Sequence, residues 1–139
     1  MKKFLSRSIA VFLLVFFSCS LCVPASASVY SSEYLNRYSG SITAQGGGEI
    51  KISFSVAGMK QLDELGASEI VVEKKVGSSW TEVKTYTNDD YPELSTTNAF
   101  YYSNYVFYQG VAGTEYRAKI TIFGNTDYRT ITTVSKRAT

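Results

Sequence analysis

The sequence predicts an all-β protein, an antiparallel sandwich of about seven strands with a short helical insert. Two observations support this prediction. Apolar and polar residues alternate along several short runs, which is typical of half-buried strands, and the clearest run is Glu49–Val56. Glycine-containing turns separate these runs at the spacing found in sandwiches.

We expect neighbouring strands to pair as hairpins around these turns. Gly46-Gly47-Gly48 follows the first run, Gly77-Ser78-Ser79 joins the third to the fourth, and Gly124-Asn125-Thr126 precedes the last. In chain order, the predicted strands are Ser41–Gln45, Glu49–Val56, Glu69–Val76, Trp80–Thr87, Phe100–Gln109, Thr114–Phe123 and Asp127–Val134.

Two segments interrupt the strand pattern. In Gly58–Gly66 apolar residues recur every three positions and a glycine follows as a stop signal, so this segment is predicted to be a short helix that packs over the core. Asn88–Asn98 is polar and contains Pro92, which favours a loop.

The beginning of the chain has the pattern of a cleavable secretory signal. Met1–Ala27 opens with basic residues, continues through the apolar stretch Ile9–Phe17 and ends in Ala25-Ser26-Ala27. The predicted organisation is a signal peptide over residues 1–27, an N-terminal arm without stable structure over Ser28–Ser39, and a sandwich domain over residues 40–139. We therefore expect a secreted, extracellular protein that is free of the membrane after cleavage.

Charge and cysteine content limit the chemistry of the exported part. The chain has 14 Lys and Arg against 12 Asp and Glu, but three of the bases lie in the leader, so the remainder is nearly neutral. This balance argues against nucleic-acid binding, which needs a concentrated basic surface. Both cysteines, Cys19 and Cys22, also lie in the leader, and the chain contains no histidine. These facts exclude thiol and imidazole catalysis in the mature domain, and we expect no cofactor.

Acidic side chains are the remaining candidates for catalysis or metal binding. Asp89, Asp90 and Glu93 lie in the predicted loop, and Asp63 and Glu64 lie in the predicted insert. A catalytic carboxyl group needs burial to raise its pKa, whereas adjacent acids in polar loops are usually solvated. We therefore predict that the protein is not an enzyme. Calcium binding by the loop stays open, although its spacing differs from that of an EF-hand.

Aromatic residues are the main compositional excess. Seven of them are crowded into the eighteen residues from Tyr91 to Tyr108. On a strand, one set fills the core and the other is exposed, where aromatic rings can contact sugars or the apolar surface of a partner. Alternatively, these residues only stabilise the sheet through cross-strand pairs. Tyr101, Tyr105 and Phe107 share one predicted face; Phe100, Tyr102, Val106 and Tyr108 share the other.

Three stretches resemble fibronectin type III domains. "EIVVEKKVGSSWTEVKTYT" is similar to their third strand and following hairpin, with Trp80 after the turn, and "VAGTEYRAKITIFGN" is similar to their Gly-x-x-Tyr entry into the sixth strand. "EIKISFSVAG" would be the second strand, with Phe54 where that family usually has Trp. The resemblance implies an immunoglobulin-like sandwich in which Trp80, Phe54 and Tyr116 have structural roles. It also implies that the Tyr116 hydroxyl bonds back to the preceding connection.

The whole chain resembles more closely a family of uncharacterised, small, secreted, single-domain proteins of clostridia-like Gram-positive bacteria. The shared pieces are the signal, "GSITAQGGGEIKISFSV", "DELGASEIVVEKK", "WTEVKTYT" and "GVAGTEYRAKIT". This resemblance implies secretion and no particular activity.

The sequence thus predicts a secreted, monomeric, non-enzymatic binding or interaction module with an unidentified extracellular partner. In one alternative it binds carbohydrate or cell-wall glycan through the aromatic face, with Tyr101, Tyr102 and Tyr105 as the ligand-binding residues. In another it is an adhesin or inhibitor that binds protein through the end loops Gly58–Gly66 and Asn88–Asn98.

Overall fold

The structure, a computed structural model, describes residues 32–139. The predicted signal peptide of residues 1–27 and the first part of the predicted arm lie outside the described residues. The described chain is almost entirely β-strand, and it contains no helix long and apolar enough to cross a membrane. Its elements are β1 Leu35–Gly46, β2 Glu49–Val76, β3 Ser79–Thr87, a 3-10 turn at Pro92–Leu94, β4 Ser95–Gln109, β5 Glu115–Gly124, β6 Asp127–Thr132 and β7 Lys136–Arg137.

One long strand, β2, organises the sheet. The first half of this 28-residue strand pairs with β1 on one side and β4 on the other, and β4 stays paired with β2 as far as Gly66. The second half pairs with β5 and β3. Strand β6 extends the second half beyond β5, and the short β7 also pairs with β5. These pairings, all antiparallel, make one seven-stranded sheet.

Irregularities in β2 allow the sheet to curl. Between Ala57 and Leu62, five positions along β2 oppose only two along β4, and a second register shift lies opposite β5. Such bulges bend a strand and increase its twist. At Gly66 the backbones of β2 and β4 approach so closely that a Cβ atom would lie 2.5 Å from the Cα of Ser95. This position therefore requires glycine.

The curled sheet encloses one core, to which both halves contribute. Strand β1 of the first half approaches β5 of the second, since a Cβ atom on Gly40 would lie 2.8 Å from Cδ1 of Ile120. The core side chains of β2 and β5 alternate along each strand, as the period of two requires. Those that follow this alternation are Ile50, Ile52, Phe54 and Val56 in the first half and Ile70, Val72, Tyr116, Ala118, Ile120 and Ile122 in the second; Leu62, Leu65 and Ala67, in the irregular middle of β2, complete its contribution to the core.

The three predicted hairpins are present. In the first, Gly46 pairs with Glu49, and the two turn residues Gly47 and Gly48 have φ values of 61° and 83°. Positive φ at both central residues is the requirement of the type I′ turn, which joins twisted antiparallel strands and which glycine adopts without strain.

The predicted helical insert is wrong. Gly58–Gly66 is part of β2, which runs without interruption through two segments predicted as separate strands. Leu62 and Leu65 are both buried although they are three residues apart. The bulge, together with the close approach of β2 and β4 at Gly66, changes which side of the strand faces the core. In this irregular strand, buried residues are therefore three positions apart, which is the spacing that we interpreted from the sequence as helical.

Two further boundaries differ from the sequence prediction. Leu35–Ser39, which we assigned to the arm, form the start of β1. The predicted loop Asn88–Asn98 contains the 3-10 turn, which begins at Pro92 and whose Leu94 is fully buried. Proline suits the first position of a helical turn because its missing N–H would have no partner there.

Candidate functional site

The outer surface of β1, β2 and β4 carries short hydroxyl side chains beside aromatic rings, and we call it the hydroxyl–aromatic face. Paired residues in an antiparallel sheet point to the same side, so the register defines the rows of this face. In order, the rows are Arg37, Ala57 and Tyr101; Ser39, Ser55 and Ser103; Ser41, Ser53 and Tyr105; and Thr43, Lys51 and Phe107.

The aromatic rings stand on β4, whose alternate residues face outward. Tyr101, Tyr105 and Phe107 are 58%, 47% and 46% exposed. The intervening residues of β4 face the core, where Val106 and Tyr108 pack partly buried against the apolar side of β2. The core packing therefore fixes the strand that presents the exposed rings.

A shallow depression of about 280 Å³ opens in this face between β2 and β4. Serine side chains are short, so the surface is low at these positions and higher where the rings stand. Each serine hydroxyl can both donate and accept a hydrogen bond. The depression is lined by Lys51, Ser53, Phe54, Ser103, Asn104 and Tyr105.

The rings differ in how much of each remains free for a ligand. Tyr105 and Phe107 lie edge to face, with centroids 5.2 Å apart and planes at 67°. The ammonium nitrogen of Lys51 lies 4.1 Å from the Tyr105 centroid and covers one side of that ring. Within residues 32–139 the Tyr101 ring has neither an aromatic nor a cationic partner. The face is therefore uneven and is not a flat platform.

Tyr102 does not join Tyr101 and Tyr105 on this face. It is half-buried on the inner side of β4, and its ring centroid lies 6.1 Å from that of Phe54. Its hydroxyl donates to the carbonyl oxygen of Glu93 in the 3-10 turn. Of the three tyrosines proposed from sequence, the structure places two, Tyr101 and Tyr105, on this face.

Phe100 also departs from the simple alternation. It is 61% exposed, although alternation placed it on the same face as the half-buried Tyr102. The register shift opposite β2 falls beside it, and Asn98 adopts a left-handed φ of 50°. The irregular backbone leaves two consecutive aromatic residues, Phe100 and Tyr101, in solvent.

The three residues assigned structural roles have distinct surroundings. Phe54 and Tyr116 are buried, at 3% and 2% exposure. The Tyr116 hydroxyl accepts a hydrogen bond from the backbone N–H of Val111, at 2.9 Å. Trp80 is half-buried on β3, outside the core, and the Arg117 guanidinium lies 4.4 Å from its ring centroid.

A buried ion cluster lies on the second half of the sheet, beside Trp80. The Glu73 carboxylate, 7% exposed, lies 2.6 Å from Nε of Arg117 and 3.0 Å from Nζ of Lys119. Burial raises the pKa of the Glu73 carboxyl group, but hydrogen bonds and charge from the two cations outweigh burial and hold the pKa below its ordinary value of 4.5. The Glu73 carboxylate has both cations as partners and links β2 to β5, so we assign this cluster to the stability of the fold.

The predicted end loops offer less free surface than expected. Leu62 and Leu94 are core residues, so neither is available to a partner. A substitution such as Leu62→Ala would therefore disturb the core instead of testing a partner surface on this segment. The exposed part of the first segment is its bulge, where Met59 is 60% exposed.

The acidic candidates are mostly solvent-exposed. Asp63, Asp89, Asp90 and Glu93 are exposed, and the half-buried Glu64 accepts a hydrogen bond from the hydroxyl of Ser95 at 3.0 Å. Across residues 32–139, no three acidic side chains are grouped so that they could hold a metal ion.

The sequence reasoning missed the polar half of the candidate site. Lys51, Ser53 and Ser55 were recognised only as the polar side of an alternating strand. Their alternation was the available signal, but only the register shows that they lie beside Ser103 and Tyr105.

Comparison with known proteins gives no family for the chain. No family model matches it, and no curated protein matches it. The hydroxyl–aromatic face is therefore the basis for assigning a function.

Proposed function

We propose that the protein is a secreted, non-enzymatic binding module that recognises carbohydrate, such as a cell-wall glycan, through the hydroxyl–aromatic face. The observation that carries this proposal is the exposure of Tyr101, Tyr105 and Phe107 beside a serine-lined depression. Sugar rings present C–H groups that pack on aromatic rings, and hydroxyl groups that need hydrogen-bond partners. The face supplies both kinds of contact.

The arrangement of the face supports binding in a second way. Its side chains stand on paired strands whose other side packs in the core, so the backbone is already in place before a ligand arrives. Serine and aromatic side chains have few rotatable bonds, and ordering them costs little entropy. Large aromatic side chains grouped in solvent are typical of interaction surfaces.

The same proposal covers the architecture and the location of the protein. The curled sheet is taken as an immunoglobulin- or fibronectin-III-like sandwich, supported by the shared core of its two halves and by the hydrogen bond from Val111 to Tyr116. Secretion is supported by the pattern of Met1–Ala27. A non-enzymatic role is supported by the exposure of the acidic candidates, since a working carboxyl acid needs burial.

A glycan array and a pull-down with isolated cell walls test the proposal. The native protein is compared with a Tyr101→Ala/Tyr105→Ala variant and with Tyr128→Ala as a control. Tyr128 is a similarly exposed tyrosine, at 53%, but it lies on β6 against Phe123. We expect the native protein and the control to bind the same glycans and the double variant to lose at least about tenfold in affinity.

Circular dichroism accompanies the array to show that the double variant is folded. Both substituted rings are exposed, so removing them leaves the core intact. Binding that survives in the folded double variant would place the site elsewhere. Failure of the native protein to bind any glycan or cell wall would reject the proposal.

A further inference from the structure

Lys51 is the charged residue of the depression. It lies on the outer side of β2, between Thr43 on β1 and Phe107 on β4, and is half-buried. Its ammonium nitrogen lies over the Tyr105 ring, 4.1 Å from the centroid. A cation–π contact of this kind holds the flexible side chain over the ring and beside the serines.

No carboxylate within residues 32–139 forms a salt bridge with Lys51. Four other cations in this part of the chain, Lys75, Arg117, Lys119 and Arg129, each pair with an acidic side chain. Glu49, which precedes Lys51 on the same face of β2, is not one of its ion-pair partners. Among the described residues, the ammonium group in the depression therefore has no ion-pair partner.

A ligand that covers the depression removes water from the Lys51 ammonium group. Taking an ammonium group out of water is unfavourable unless an anion or several acceptors replace the water. A hydrogen bond from an ammonium to a carboxylate is roughly twice as strong as one between neutral groups. A sugar carrying a carboxylate therefore complements Lys51 better than a neutral sugar.

The position of the free ring indicates the extent of such a ligand. Lys51 already covers one side of Tyr105, whereas Tyr101 remains free for stacking. The two tyrosines are four residues apart on one strand, which corresponds to about 13 Å. This distance is longer than one sugar ring, so a ligand that uses both ends is an oligosaccharide.

We infer that the hydroxyl–aromatic face binds an acidic oligosaccharide, with a carboxylate at Lys51 and another sugar of the same oligosaccharide, farther along it, on Tyr101. The inference rests on the proposed carbohydrate-binding function and narrows its ligand class. The serine hydroxyls of Ser53 and Ser103 lie between the two ends and bond to sugar hydroxyls there.

The test uses matched pairs of ligands and matched lysine variants. Oligosaccharides of galacturonate and of hyaluronan are each compared with their carboxyl-reduced forms by titration calorimetry, at low and at high salt. Lys51→Met keeps an apolar stem of similar length and removes the charge. Lys60→Met is the control, because the Lys60 ammonium also lies over a tyrosine ring, 5.6 Å from the Tyr34 centroid, away from the depression.

We expect the native protein and Lys60→Met to bind at least one acidic oligosaccharide about tenfold more tightly than its reduced form. We expect Lys51→Met to bind both forms equally, and salt to weaken only binding that uses Lys51. Equal binding of acidic and reduced forms by the native protein would overturn this inference and leave the carbohydrate proposal standing. A preference for acid that survives in Lys51→Met would also overturn it. If neither form binds although other neutral glycans do, the inference fails alone; if no glycan binds at all, both proposals fail.

Discussion

The hydroxyl oxygen of Tyr116 accepts a hydrogen bond from the backbone N–H of Val111, five residues earlier, at 2.9 Å. The ring itself is buried and packs edge to face against Tyr108, with centroids 5.6 Å apart. Gly110 leaves room for this arrangement, since a Cβ atom there would lie 2.8 Å from the Tyr116 ring. The tyrosine thus ties the connection after β4 to the start of β5.

Tyr116→Phe keeps the ring and removes only this hydrogen bond. We expect the free energy of unfolding to fall by about 1 kcal/mol, because Val111 is exposed and water can solvate its N–H. That change corresponds to a melting temperature about 4–8 °C lower in a domain of this size. Thermal unfolding followed by circular dichroism measures the shift. An unchanged melting temperature would show that the bond contributes nothing to stability.

Leu62 and Met59 lie three residues apart on β2, but we expect their alanine variants to differ strongly in the free energy of unfolding. Leu62 is 1% exposed in the core, so Leu62→Ala should cost about 2–5 kcal/mol of unfolding free energy. Met59 is 60% exposed on the bulge, so Met59→Ala should change it by no more than about 0.5 kcal/mol. Urea unfolding measures both. Equal effects would mean that the bulge in β2 is placed differently.

The ion cluster at Glu73 makes stability depend on acid pH. Its pKa is lower in the folded state, because hydrogen bonds from Arg117 and Lys119 outweigh burial. Ionised Glu73 therefore stabilises the fold above its unfolded pKa, which is the ordinary value of 4.5, and this contribution disappears as the pH falls through the lower folded pKa. We expect the stability difference between the native protein and Glu73→Gln to shrink between about pH 6 and pH 3. Urea midpoints at both pH values measure it, and a constant difference would contradict this account.

The free edge of β4 is protected by side-chain hydrogen bonds. Among the described residues β4 pairs only with β2. The Tyr86 hydroxyl donates to the Phe107 carbonyl oxygen at 2.9 Å, and the Tyr105 N–H donates to Oδ1 of Asn104 at 2.8 Å. Backbone groups occupied in this way cannot pair with a strand of another molecule.

Tyr86→Phe/Asn104→Ala removes both protecting groups, and we expect self-association that increases with protein concentration. Tyr116→Phe is the control, because it removes a tyrosine hydroxyl at the connection before β5 and leaves both protecting bonds of the β4 edge in place. Analytical ultracentrifugation distinguishes monomer from assembled protein. A double variant that stays monomeric at every concentration would show that the two bonds do not guard the edge.

The hairpins and most strands were predictable from the sequence because their signals are local. The glycines at 46–48 mark a turn, and the alternation in Glu49–Val56 marks a buried face whichever strands lie beside it. The continuity of β2 was not predictable. Met59, Leu62 and Leu65 repeat every three residues, and only the tertiary register shows that a bulge produces this spacing.

The candidate site was predictable in part. Alternation along β4 correctly groups Tyr101 with Tyr105 on one face and puts Tyr102 on the other. Tyr102 was nevertheless included among the ligand-binding residues predicted from the sequence. The serines of the depression come from strands far apart in sequence, and no local signal joins Ser53 to Ser103. Long-range register, rather than residue type, creates the polar half of the face.

The most direct test of the central claim is amide chemical-shift mapping of the protein with the glycan that binds best on the array. We expect the largest changes at Ser53, Ser103 and Tyr105, with little change at Arg117 and Trp80 on the second half of the sheet. Binding whose changes centre on the bulge at Met59, or on the turn at Asn125, would contradict a site on the hydroxyl–aromatic face.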